Sequence, residues 1–555
     1  MGKSLVATVI FGSNFYFWRN SGYFTSGNEI SPLLHTWSLA VEEQFYLVFP
    51  IIIMFFARNV RHGTRRAIFG LAFLSFVACV GLQERRPEAM FYLAPFRMWE
   101  LMAGALLTVT AIPVLRRQWL RDLASVTGLV LIVIAVLFIA PGRHFPGWIA
   151  AIPVVGTLAI IHAGTDGSSR VTRALSWGPL VWIGLVSYSL YLWHWPILVF
   201  TKYVYGGELS SLARLWLAAV ALFLAYLSYR FVETPFRRRG PRDRFPVHRR
   251  TLFSVAAVAM LLLAVTGAAV TTQRGLEWRF PADVVALDRE RDKEIPFAGC
   301  NDRRNFYEPS PGHLSIDRLC RIGAVGVDPK VILWGDSHAL AWAPAVDLAL
   351  RSAGVGGVLA IKSECAALLE MQDRLDGRCR EFNDEVRGLL TRDGKIRYIV
   401  LAAAWLNYAV PSDPTRLYDA SGRIAQWNFG ALLDRSLADL SKDGLKIWLL
   451  GPVPQAPAEA PFRLALSRLH KAAAPQPTSA REFRASAAPF WNAVGALPSM
   501  ANVTITDPAD WLCDSASCKY EQAGVALYRD AVHLNTRGTA YLSEPFRQVL
   551  YSVIQ

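Results

Sequence analysis

The sequence predicts a polytopic α-helical membrane domain of about nine spans, followed by an α/β domain with a parallel five-stranded sheet. Apolar residues make up 53% of the 555-residue chain, and its mean hydropathy of +0.27 is high for a soluble protein. The long apolar runs are concentrated in residues 1–272, whereas residues 273–555 have the mixed composition of a globular domain. In that second half, short β-type runs alternate with helical stretches, as in sheets joined by crossover helices.

Nine apolar segments in the first half are candidates for membrane spans. A helix perpendicular to the bilayer needs ~20 residues, and several segments are shorter, so we expect polar residues within a helix bundle to extend them. The candidates are residues 3–18, 44–57, 67–82, 94–112, 123–140, 148–163, 179–200, 211–232 and 251–271.

Arginine placement predicts the orientation of these spans. Cytoplasmic loops are enriched in arginine and lysine, and three arginine-rich loops are separated here by even numbers of predicted spans. We therefore expect these loops in the cytoplasm and residues 273–555 outside it. Because the net charge of +14 is placed in such loops, we expect the lipid bilayer as a partner and no nucleic acid. The arginines are Arg58, Arg61, Arg65 and Arg66; Arg116, Arg117 and Arg121; and Arg237, Arg238, Arg239, Arg242, Arg244, Arg249 and Arg250.

Cysteine usage supports the same placement. Six of the seven cysteines lie in the second half, and an even set in an exported domain suggests disulfides. The sequence does not decide the connectivity, and free buried cysteines are the alternative; pairing of sequence neighbours is our working expectation. No metal site is expected, since the last two cysteines have no second ligand pair nearby. The six are Cys300, Cys320, Cys365, Cys379, Cys513 and Cys518.

The second half is expected to place three conspicuous motifs at one edge of its sheet. Strands are predicted at 331–334, 358–361, 398–403, 447–450 and 503–506, with helices such as 339–351, 381–392 and 430–441 between them. Active sites of such sheets gather at the carboxyl ends of strands. Gly335-Asp336-Ser337 ends the first strand, Asn407 follows the third, and Asp530 and His533 precede a last helix at about 537–552.

Ser337, Asp530 and His533 have the residue types of a nucleophilic triad. A serine hydroxyl becomes a nucleophile when a neighbouring base takes its proton, and the base needs an acid that orients it. The alternative is that Ser337 caps a helix and that Asp530 and His533 cap the last one. We interpret His338 as a turn residue, and Asp510 and Asp514 as surface loop.

These motifs resemble the SGNH hydrolase family, through Gly335-Asp336-Ser337 and Asp530-x-x-His533. The resemblance implies Ser337 as nucleophile, His533 as base and Asp530 as its orienting acid. It also implies an oxyanion hole from the Ser337 backbone N–H, a glycine after the second strand and an asparagine after the third. The sequence departs from the family pattern here, because no glycine follows Ile361. Asn407, or a variant donor marked by Trp405, is the candidate in the third block.

Polar residues inside the apolar half are the second set of candidates, because ionisable groups at membrane depth are costly and usually functional. Arg97 and Glu100 are three residues apart and can pair on one helix face. Glu42 and Glu43 are predicted to open a helix, and His35 and His194 are suited to proton transfer or to hydrogen bonding a sugar. The alternatives are a structural ion pair and, for Trp193 and Trp195, an interfacial aromatic belt. The candidates are His35, Glu42, Glu43, Arg97, Glu100, Tyr188, His194, Arg230 and Glu233.

The stretches that hold these residues resemble the acyltransferase family 3 membrane domain over residues 1 to about 240. The match rests on Leu-His-Thr-Trp-Ser-Leu-x-Val-Glu-Glu-Gln-Phe-Tyr at 34–46 and Ser-Tyr-Ser-Leu-Tyr-Leu-Trp-His-Trp-Pro at 187–196. The resemblance implies further helices before Met1, with an Arg-rich start, a histidine for acyl transfer and an Arg-x-x-Arg motif. His35 and His194 belong to other motifs than that histidine.

A family 3 membrane domain with an extra helix and a fused extracytoplasmic SGNH domain is similar to bacterial O-antigen and cell-wall O-acetylases. This resemblance implies an inner-membrane O-acyltransferase that moves an acetyl group, from acetyl-CoA as donor and with no bound cofactor, to a glycan hydroxyl outside. The expected domains are 1–240, a basic loop with an extra helix and linker at 241–280, and 281–555. The alternatives are a membrane-anchored carbohydrate esterase and a transporter of an acyl or lipid-linked substrate.

Overall fold

A computed structural model describes residues 1–20, 31–59, 63–83, 86–110, 112–139, 145–165, 168–205, 209–237, 249–292, 296–301, 314–373, 379–410, 417–418, 428–471 and 474–554. The chain forms two compact units, Met1–Glu277 and Trp278–Gln555. The boundary between them falls inside the predicted connecting segment 241–280. Most of the third arginine cluster, at 238–248, lies outside the described residues.

The described part of the first unit is helical throughout. Its helices are α1 (Gly2–Val9), α2 (Ser13–Asn20), α3 (Thr36–Asn59), α4 (Gly63–Leu82), α5 (Pro87–Tyr92), α6 (Ala94–Val109), α7 (Gln118–Phe138), α8 (Ala151–Ala163), α9 (Arg170–Leu175), α10 (Gly178–Tyr205), α11 (Ser211–Ser228), α12 (Thr234–Arg237) and α13 (Arg249–Thr272), with a π-turn at Tyr229–Glu233 between α11 and α12.

Among the described residues, six helices are long and apolar enough to cross a membrane, at Thr36–Phe56, Gly63–Leu82, Gln118–Phe138, Gly178–Tyr205, Ser211–Phe236 and Arg250–Thr272. The prediction of nine such spans is therefore not confirmed. Segment 3–18 is split into α1 and α2 around Phe11, whose φ is 54°. Segment 94–112 forms the 16-residue α6, which carries Arg97 and Glu100, and segment 148–163 forms a 3-10 turn followed by the 13-residue α8.

Close helix contacts hold this unit together. Gly128 of α7 and Gly156 of α8 face one another, and a Cβ on either would meet the carbonyl oxygen of the other. Small residues at such crossings let helix backbones approach within van der Waals distance. Helix α3 begins at Thr36, not at Glu42 as the shorter predicted span suggested, so Glu42 and Glu43 lie in its second turn.

The second unit is an α/β domain around one mixed sheet. Its described strands are β1 (Cys320–Gly323), β2 (Pro329–Gly335), β3 (Gly356–Ile361), β4 (Gln372–Asp373), β5 (Tyr398–Ala402), β6 (Leu417–Tyr418), β7 (Lys446–Leu450), β8 (Val503–Thr506), β9 (Glu521–Gln522) and β10 (Val525–Ala526). Its described helices are α14 (Ala282–Asp292), α15 (Ser337–Ser352), α16 (Cys379–Asp393), α17 (Trp405–Ala409), α18 (Phe429–Ser441), α19 (Ala460–His470), α20 (Ala480–Gly495), α21 (Ala509–Leu512) and α22 (Thr536–Ile554).

Five strands pair in parallel in the order β3-β2-β5-β7-β8, and these are the five predicted from the sequence. The prediction of a purely parallel five-stranded sheet is wrong at one edge, where β1 pairs antiparallel with β3. Strand β1 reads Cys-Arg-Ile-Gly, which is too short and too polar to stand out as an apolar run. The main sheet has six strands among the described residues.

The alternating direction of side chains along the strands divides the hydrophobic core into two layers. Ile332 and Trp334 of β2 pack with α16, α18 and α20 on one face of the sheet. Val331 and Leu333 pack with α15 and α22 on the other face. Successive strand residues point to opposite faces, so the central strands β2, β3, β5 and β7 contribute to both layers and are buried on both sides.

Three disulfides join sequence neighbours in this unit. They link Cys300 to Cys320, Cys365 to Cys379 and Cys513 to Cys518, with S–S distances of 2.08, 1.98 and 2.05 Å. Cys79 is free and buried in the first unit.

Candidate active site

Ser337 is presented by a tight turn between β2 and α15. Gly335 ends the strand so close to β5 that a Cβ there would overlap the carbonyl oxygen of Ala402. Asp336 then caps the helix, since its Oδ1 accepts a hydrogen bond from the His338 N–H at 2.8 Å. Ser337 is the first residue of α15, so its own N–H has no acceptor within the helix.

The three predicted triad residues come together at the carboxyl edge of the sheet. Ser337 Oγ lies 2.8 Å from His533 Nε2, and His533 Nδ1 lies 2.8 Å from Asp530 Oδ2. With Nδ1–H donating to the carboxylate, Nε2 is the acceptor for the Ser337 hydroxyl proton. The arrangement can activate Ser337 as a nucleophile.

Asp530 is held as an anion by its surroundings. Burial alone raises the pKa of this carboxyl, but the hydrogen bond and charge of His533 oppose it. The backbone N–H groups of Val532 and His533 also donate to the carboxylate, and the resulting pKa is about 2. Arg529 Nε lies 3.4 Å from Asp530 Oδ2 on the other side. A charged Asp530 fixes the His533 tautomer and stabilises the imidazolium that forms when Ser337 loses its proton.

Asp336 ties the nucleophile turn to the segment after β5. Its buried Oδ2 accepts hydrogen bonds from the Ala404 N–H at 2.9 Å and the Tyr408 hydroxyl at 3.0 Å. Burial raises the pKa of this carboxyl above its ordinary value, although these donors and His338 N–H oppose the shift. Asp336 thus sets the position of Ser337 relative to α17 without lying in the triad.

The two candidates for the oxyanion hole, Asn407 and Trp405, lie in different surroundings. Asn407 lies on α17 and lines a cleft next to Ser337, so it stays a predicted donor. The side chain of Trp405 is fully buried in the core, and its indole N–H donates to the Leu450 carbonyl at 2.6 Å. The indole N–H is therefore occupied in the core, and a variant donor in the block that Trp405 marks stays a prediction. After β3, the Lys362 N–H donates to the Gly335 carbonyl and no glycine follows.

One cleft residue, Gln455, was not singled out by the sequence. The cleft lies between the turn after β2, the segment after β5 and the loop after β7, and His338 and Gln455 line it together with Asn407. The Ala456 N–H donates to the Ala531 carbonyl at 2.8 Å, which holds Gln455 beside the Asp530 loop. Gln455 has no local motif, because only the packing of these loops brings it near Ser337.

His338 faces the triad rather than only shaping the turn. Its ring centroid lies 4.9 Å from that of His533, with the planes inclined at 51°. Burial and then the proximity of His533 lower the pKa of His338 to about 3, against the opposing charge of Asp530. His338 is therefore a neutral imidazole at physiological pH, with one N–H donor and one acceptor.

Arg97 and Glu100 form the predicted pair in the first unit, with Nε 3.2 Å from Oε1. The guanidinium also lies 5.7 Å from the ring centroid of Trp37, 5.8 Å from Phe91 and 5.7 Å from Phe145. Ion pairing and cation–π contacts together lower the cost of the charge in an apolar unit.

The two signature motifs of the membrane domain meet around His35. The Tyr191 hydroxyl donates to the His35 carbonyl at 2.6 Å and lies 2.6 Å from Ser38 Oγ. The ring centroids of His35 and His194 are 5.8 Å apart, and His194 Nδ1 lies 2.7 Å from the Tyr191 carbonyl. Among the described residues, no hydrogen-bond partner contacts the buried His35 Nδ1.

The other candidates of the first unit are three glutamates, Tyr188 and Arg230. Glu42 Oε1 accepts a hydrogen bond from the Tyr46 hydroxyl at 2.7 Å, and Glu233 Oε2 accepts one from Ser189 at 3.0 Å. Three candidates are exposed on the unit: Glu43, Tyr188 and Arg230. Tyr188 lies within electrostatic range of Glu42, Glu43 and Glu233. Within the described residues, no group of three or more histidine, cysteine, aspartate and glutamate side chains is arranged to hold a metal ion.

Two family models match this chain and divide it in the same way as the fold does. The model described as "Acyltransferase domain" matches residues 4–230. The model described as "SGNH domain (fused to AT3 domains)" matches residues 300–548.

Curated relatives carry acetyltransferase names. The chain is 31% identical over 250 residues to "Peptidoglycan O-acetyltransferase OatA" of Listeria monocytogenes serovar 1/2a, a match that covers 42% of this chain and 40% of that protein. It is 30% identical over 283 residues to "O-acetyltransferase OatA" of Staphylococcus aureus strain MRSA252, covering 47% and 46%. The chain thus spans less than half the length of these relatives.

A solved structure also aligns with part of the chain. It is the periplasmic domain of a lipopolysaccharide acetyltransferase of Salmonella ser. Paratyphi A. The alignment covers 41% of this chain and 85% of that one, with 16% identity and a TM-score of 0.32, which is too low to support a structural comparison.

Proposed function

Because the chain joins an acyltransferase domain to an SGNH domain and is homologous to OatA-type peptidoglycan O-acetyltransferases, we propose that it is a membrane-bound O-acetyltransferase acting on a cell-surface glycan. In this proposal the first unit delivers the acetyl group and the second transfers it to a sugar hydroxyl. The acyl donor is acetyl-CoA. The acceptor belongs to the cell envelope, with peptidoglycan, O-antigen and exopolysaccharide as the candidates.

The observation that carries the proposal is the 2.8 Å contact between Ser337 Oγ and His533 Nε2, with Asp530 behind the imidazole. In the first step Oγ attacks the acetyl carbonyl and His533 takes its proton. The bond to the donor group breaks, and that group leaves with the proton, giving acetyl-Ser337. In the second step a sugar hydroxyl loses its proton to His533 and attacks the ester, and Oγ recovers the proton as it leaves.

The proposed orientation places the first unit in a bacterial inner membrane and the second unit outside the cytoplasm. The arginine-rich loops fall on one side if α6 and α8 cross the bilayer together with the six long helices. Two observations support this. The charge of Arg97 on α6 is paired and surrounded by aromatic rings, and α8 packs along α7 through the Gly128–Gly156 contact.

The His35 network is the proposed acyl-handling part of the first unit. It combines two imidazoles with the Ser38 and Tyr191 hydroxyls. Such groups can hold or move a proton when the acetyl group passes the membrane.

A cellular experiment tests the proposal. Cells that produce Ser337→Ala are expected to lose ester-linked acetate on their surface glycan, whereas Ser352→Ala is the matched control. Ser352 is an exposed serine near the end of the same helix, and its hydroxyl only donates to the Leu348 carbonyl. Acetylation that persists with Ser337→Ala would overturn the acetyl-serine step.

An esterase would use the same triad with water as the acceptor. The two functions differ in the product formed from an acetyl donor in the presence of glycan. Acetylated glycan supports the transferase, and free acetate alone supports the esterase.

A further inference from the structure

Asp530 and His533 lie in a short loop between β10 and α22, which we call the triad loop and define as residues 528–534. Tyr528 and Leu534 pair across its base as an antiparallel bridge. Within the loop, the Arg529 N–H donates to the His533 carbonyl at 3.0 Å. The positions of the two triad side chains therefore depend on how this loop is fixed to the rest of the fold.

Asn535 follows the triad loop directly and is buried, with 7% of its surface exposed. Its amide nitrogen donates to the Ala526 carbonyl at 2.9 Å and to the Tyr528 carbonyl at 3.3 Å. Its Oδ1 accepts hydrogen bonds from the Arg537 and Gly538 N–H groups, both at 2.9 Å. The two donors and the two acceptor positions of the carboxamide are thus all used, and they join the chain at the base of the loop to the start of α22.

An ordinary helix cap accounts for only half of these hydrogen bonds. A cap needs one side-chain oxygen that accepts from the first turn of the helix. Asn428 does this for α18, where its Oδ1 accepts from the Ala431 N–H at 3.0 Å. At Asn535 the amide nitrogen also reaches back to two carbonyls at the base of the triad loop, which a serine or aspartate cap cannot do. The carboxamide is therefore matched to the loop as well as to the helix.

The start of α22 lies directly against the base of the triad loop. A Cβ at Gly538 would overlap the Leu527 carbonyl oxygen, so this approach requires glycine. Farther along α22, the Phe546 ring stacks on the Trp342 ring of α15, with ring centroids 5.7 Å apart. Helix α15 begins at Ser337. The nucleophile and the loop that carries its base are thus fixed to the same pair of packed helices.

We propose that Asn535 is a positioning residue, which holds the triad loop on α22 so that the His533 imidazole stays within hydrogen-bonding distance of Ser337. It acts through Asp530 and His533, whose loop it fixes. Without the two amide hydrogen bonds the loop is free to shift relative to α15, and a displacement of about 1 Å can lower a rate about 100-fold. This inference rests on the proposed function, because it concerns the triad of that reaction.

Asn535→Ser tests the role, since serine keeps an oxygen that caps α22 but has no amide to hold the loop. The full chain in detergent micelles is treated with a fluorophosphonate, whose phosphorus bonds to Ser337 Oγ as fluoride leaves and His533 takes the proton. Mass spectrometry of the Ser337 peptide gives the second-order rate constant. We expect Asn535→Ser to lower it about 10-fold to 100-fold, and Asn428→Ser, the same change at the exposed cap of α18, to leave it within about twofold of wild type.

A double-mutant cycle separates positioning from a general loss of stability. If Asn535 acts through His533, its substitution should matter little once the imidazole has been removed. We expect His533→Ala combined with Asn535→Ser to be labelled less than about threefold more slowly than His533→Ala alone. Denaturant unfolding of the same samples gives the folded fraction, and the rate constants are compared per folded molecule.

The labelling distinguishes this inference from the proposed function. Labelling of Asn535→Ser at the wild-type rate would overturn the positioning role alone, and so would equal fold losses from Asn535→Ser in the wild-type and His533→Ala backgrounds. Wild-type protein that is not labelled at Ser337 would overturn the proposed function, and this inference with it.

Discussion

Ser337 Oγ and His533 Nε2 lie 2.8 Å from one another although they are 196 positions apart in the chain. Their contact depends on two loops at the same edge of the sheet, one after β2 and one before α22. Asp530 completes the arrangement from within the second loop.

Asp530 is expected to act through its charge. Asp530→Asn keeps the shape of the side chain but removes the charge that fixes the His533 tautomer, so acetyl transfer should fall on the order of 10³–10⁴-fold. Steady-state rates with p-nitrophenyl acetate measure this. Asp510→Asn, at an exposed position, is the control and should retain the wild-type rate. A loss of less than about tenfold with Asp530→Asn would contradict the assigned role.

The pKa of about 3 for His338 predicts an acid-sensitive fold. The unfolded chain takes up a proton on this histidine near pH 6.5, whereas the folded protein does so only near pH 3. Stability from His338 is thus complete above about pH 6.5 and falls as the pH drops toward 3, by about 1 kcal/mol per pH unit. The groups facing its ring are His533 and Asp530.

Denaturant unfolding of the full chain in detergent at pH 7.5 and about pH 5 checks this prediction. His338→Gln keeps a neutral polar side chain and should lose less stability on acidification than wild type. His470→Gln changes an exposed histidine at the end of α19 and should behave as wild type. A pH dependence unaltered by His338→Gln would show that His338 is not held neutral.

Asp336 is expected to be structural at the active-site turn. Asp336→Ala leaves the N–H groups of His338 and Ala404 and the Tyr408 hydroxyl without their acceptor, and should destabilise the fold by about 3 kcal/mol. Tyr408→Phe removes only one of these bonds and should cost about 1 kcal/mol. Denaturant unfolding of the two variants measures the difference; equal losses would refute the three-donor account.

The effect of Arg97 on the stability of the membrane unit is expected to depend on Glu100, and the reverse. Removing either partner leaves an uncompensated charge in the membrane unit, which costs about 3–5 kcal/mol, whereas removing both restores most of the stability. Size-exclusion chromatography after mild heating measures the folded fraction. This fraction should be lower for Arg97→Met and for Glu100→Gln than for the double variant.

Arg170→Met is the control for that series, because Arg170 is 83% exposed and its 3.6 Å contact with Asp122 should contribute less than about 1 kcal/mol. A double variant with the summed losses of the single ones would contradict the pairing. Restored folding without restored glycan acetylation would give the pair a functional role beyond structure.

The sequence predicts the elements that have a local signal. Apolar runs locate β2, β3, β5, β7 and β8, and the Gly335-Asp336-Ser337 turn locates the nucleophile because a strand-to-helix turn has a recognisable composition. Strand β1 has no such signal, since Arg321 and Gly323 interrupt its four residues. The predicted span 94–112 forms only the 16-residue α6, which is shorter than a perpendicular span needs. The aromatic rings around Arg97 come from other elements, so the sequence of α6 does not show how its charge is accommodated.

The cleft is the part that only the tertiary structure reveals. Trp405 precedes Asn407 by two residues, yet its indole points into the core to Leu450, whereas Asn407 lines the cleft. Gln455 joins Asn407 there only because the Ala456–Ala531 hydrogen bond fixes its loop. Neither orientation has a signature in the residue order.

The most direct test of the central claim is the identification of the acetylated residue. The full chain is incubated with p-nitrophenyl acetate, quenched in acid and digested, and the peptides are analysed by mass spectrometry. We expect one acetyl group on Ser337, which disappears when an N-acetylglucosamine oligomer is added and reappears on the sugar. Acetylated oligomer formed at the wild-type rate by Ser337→Ala would contradict it.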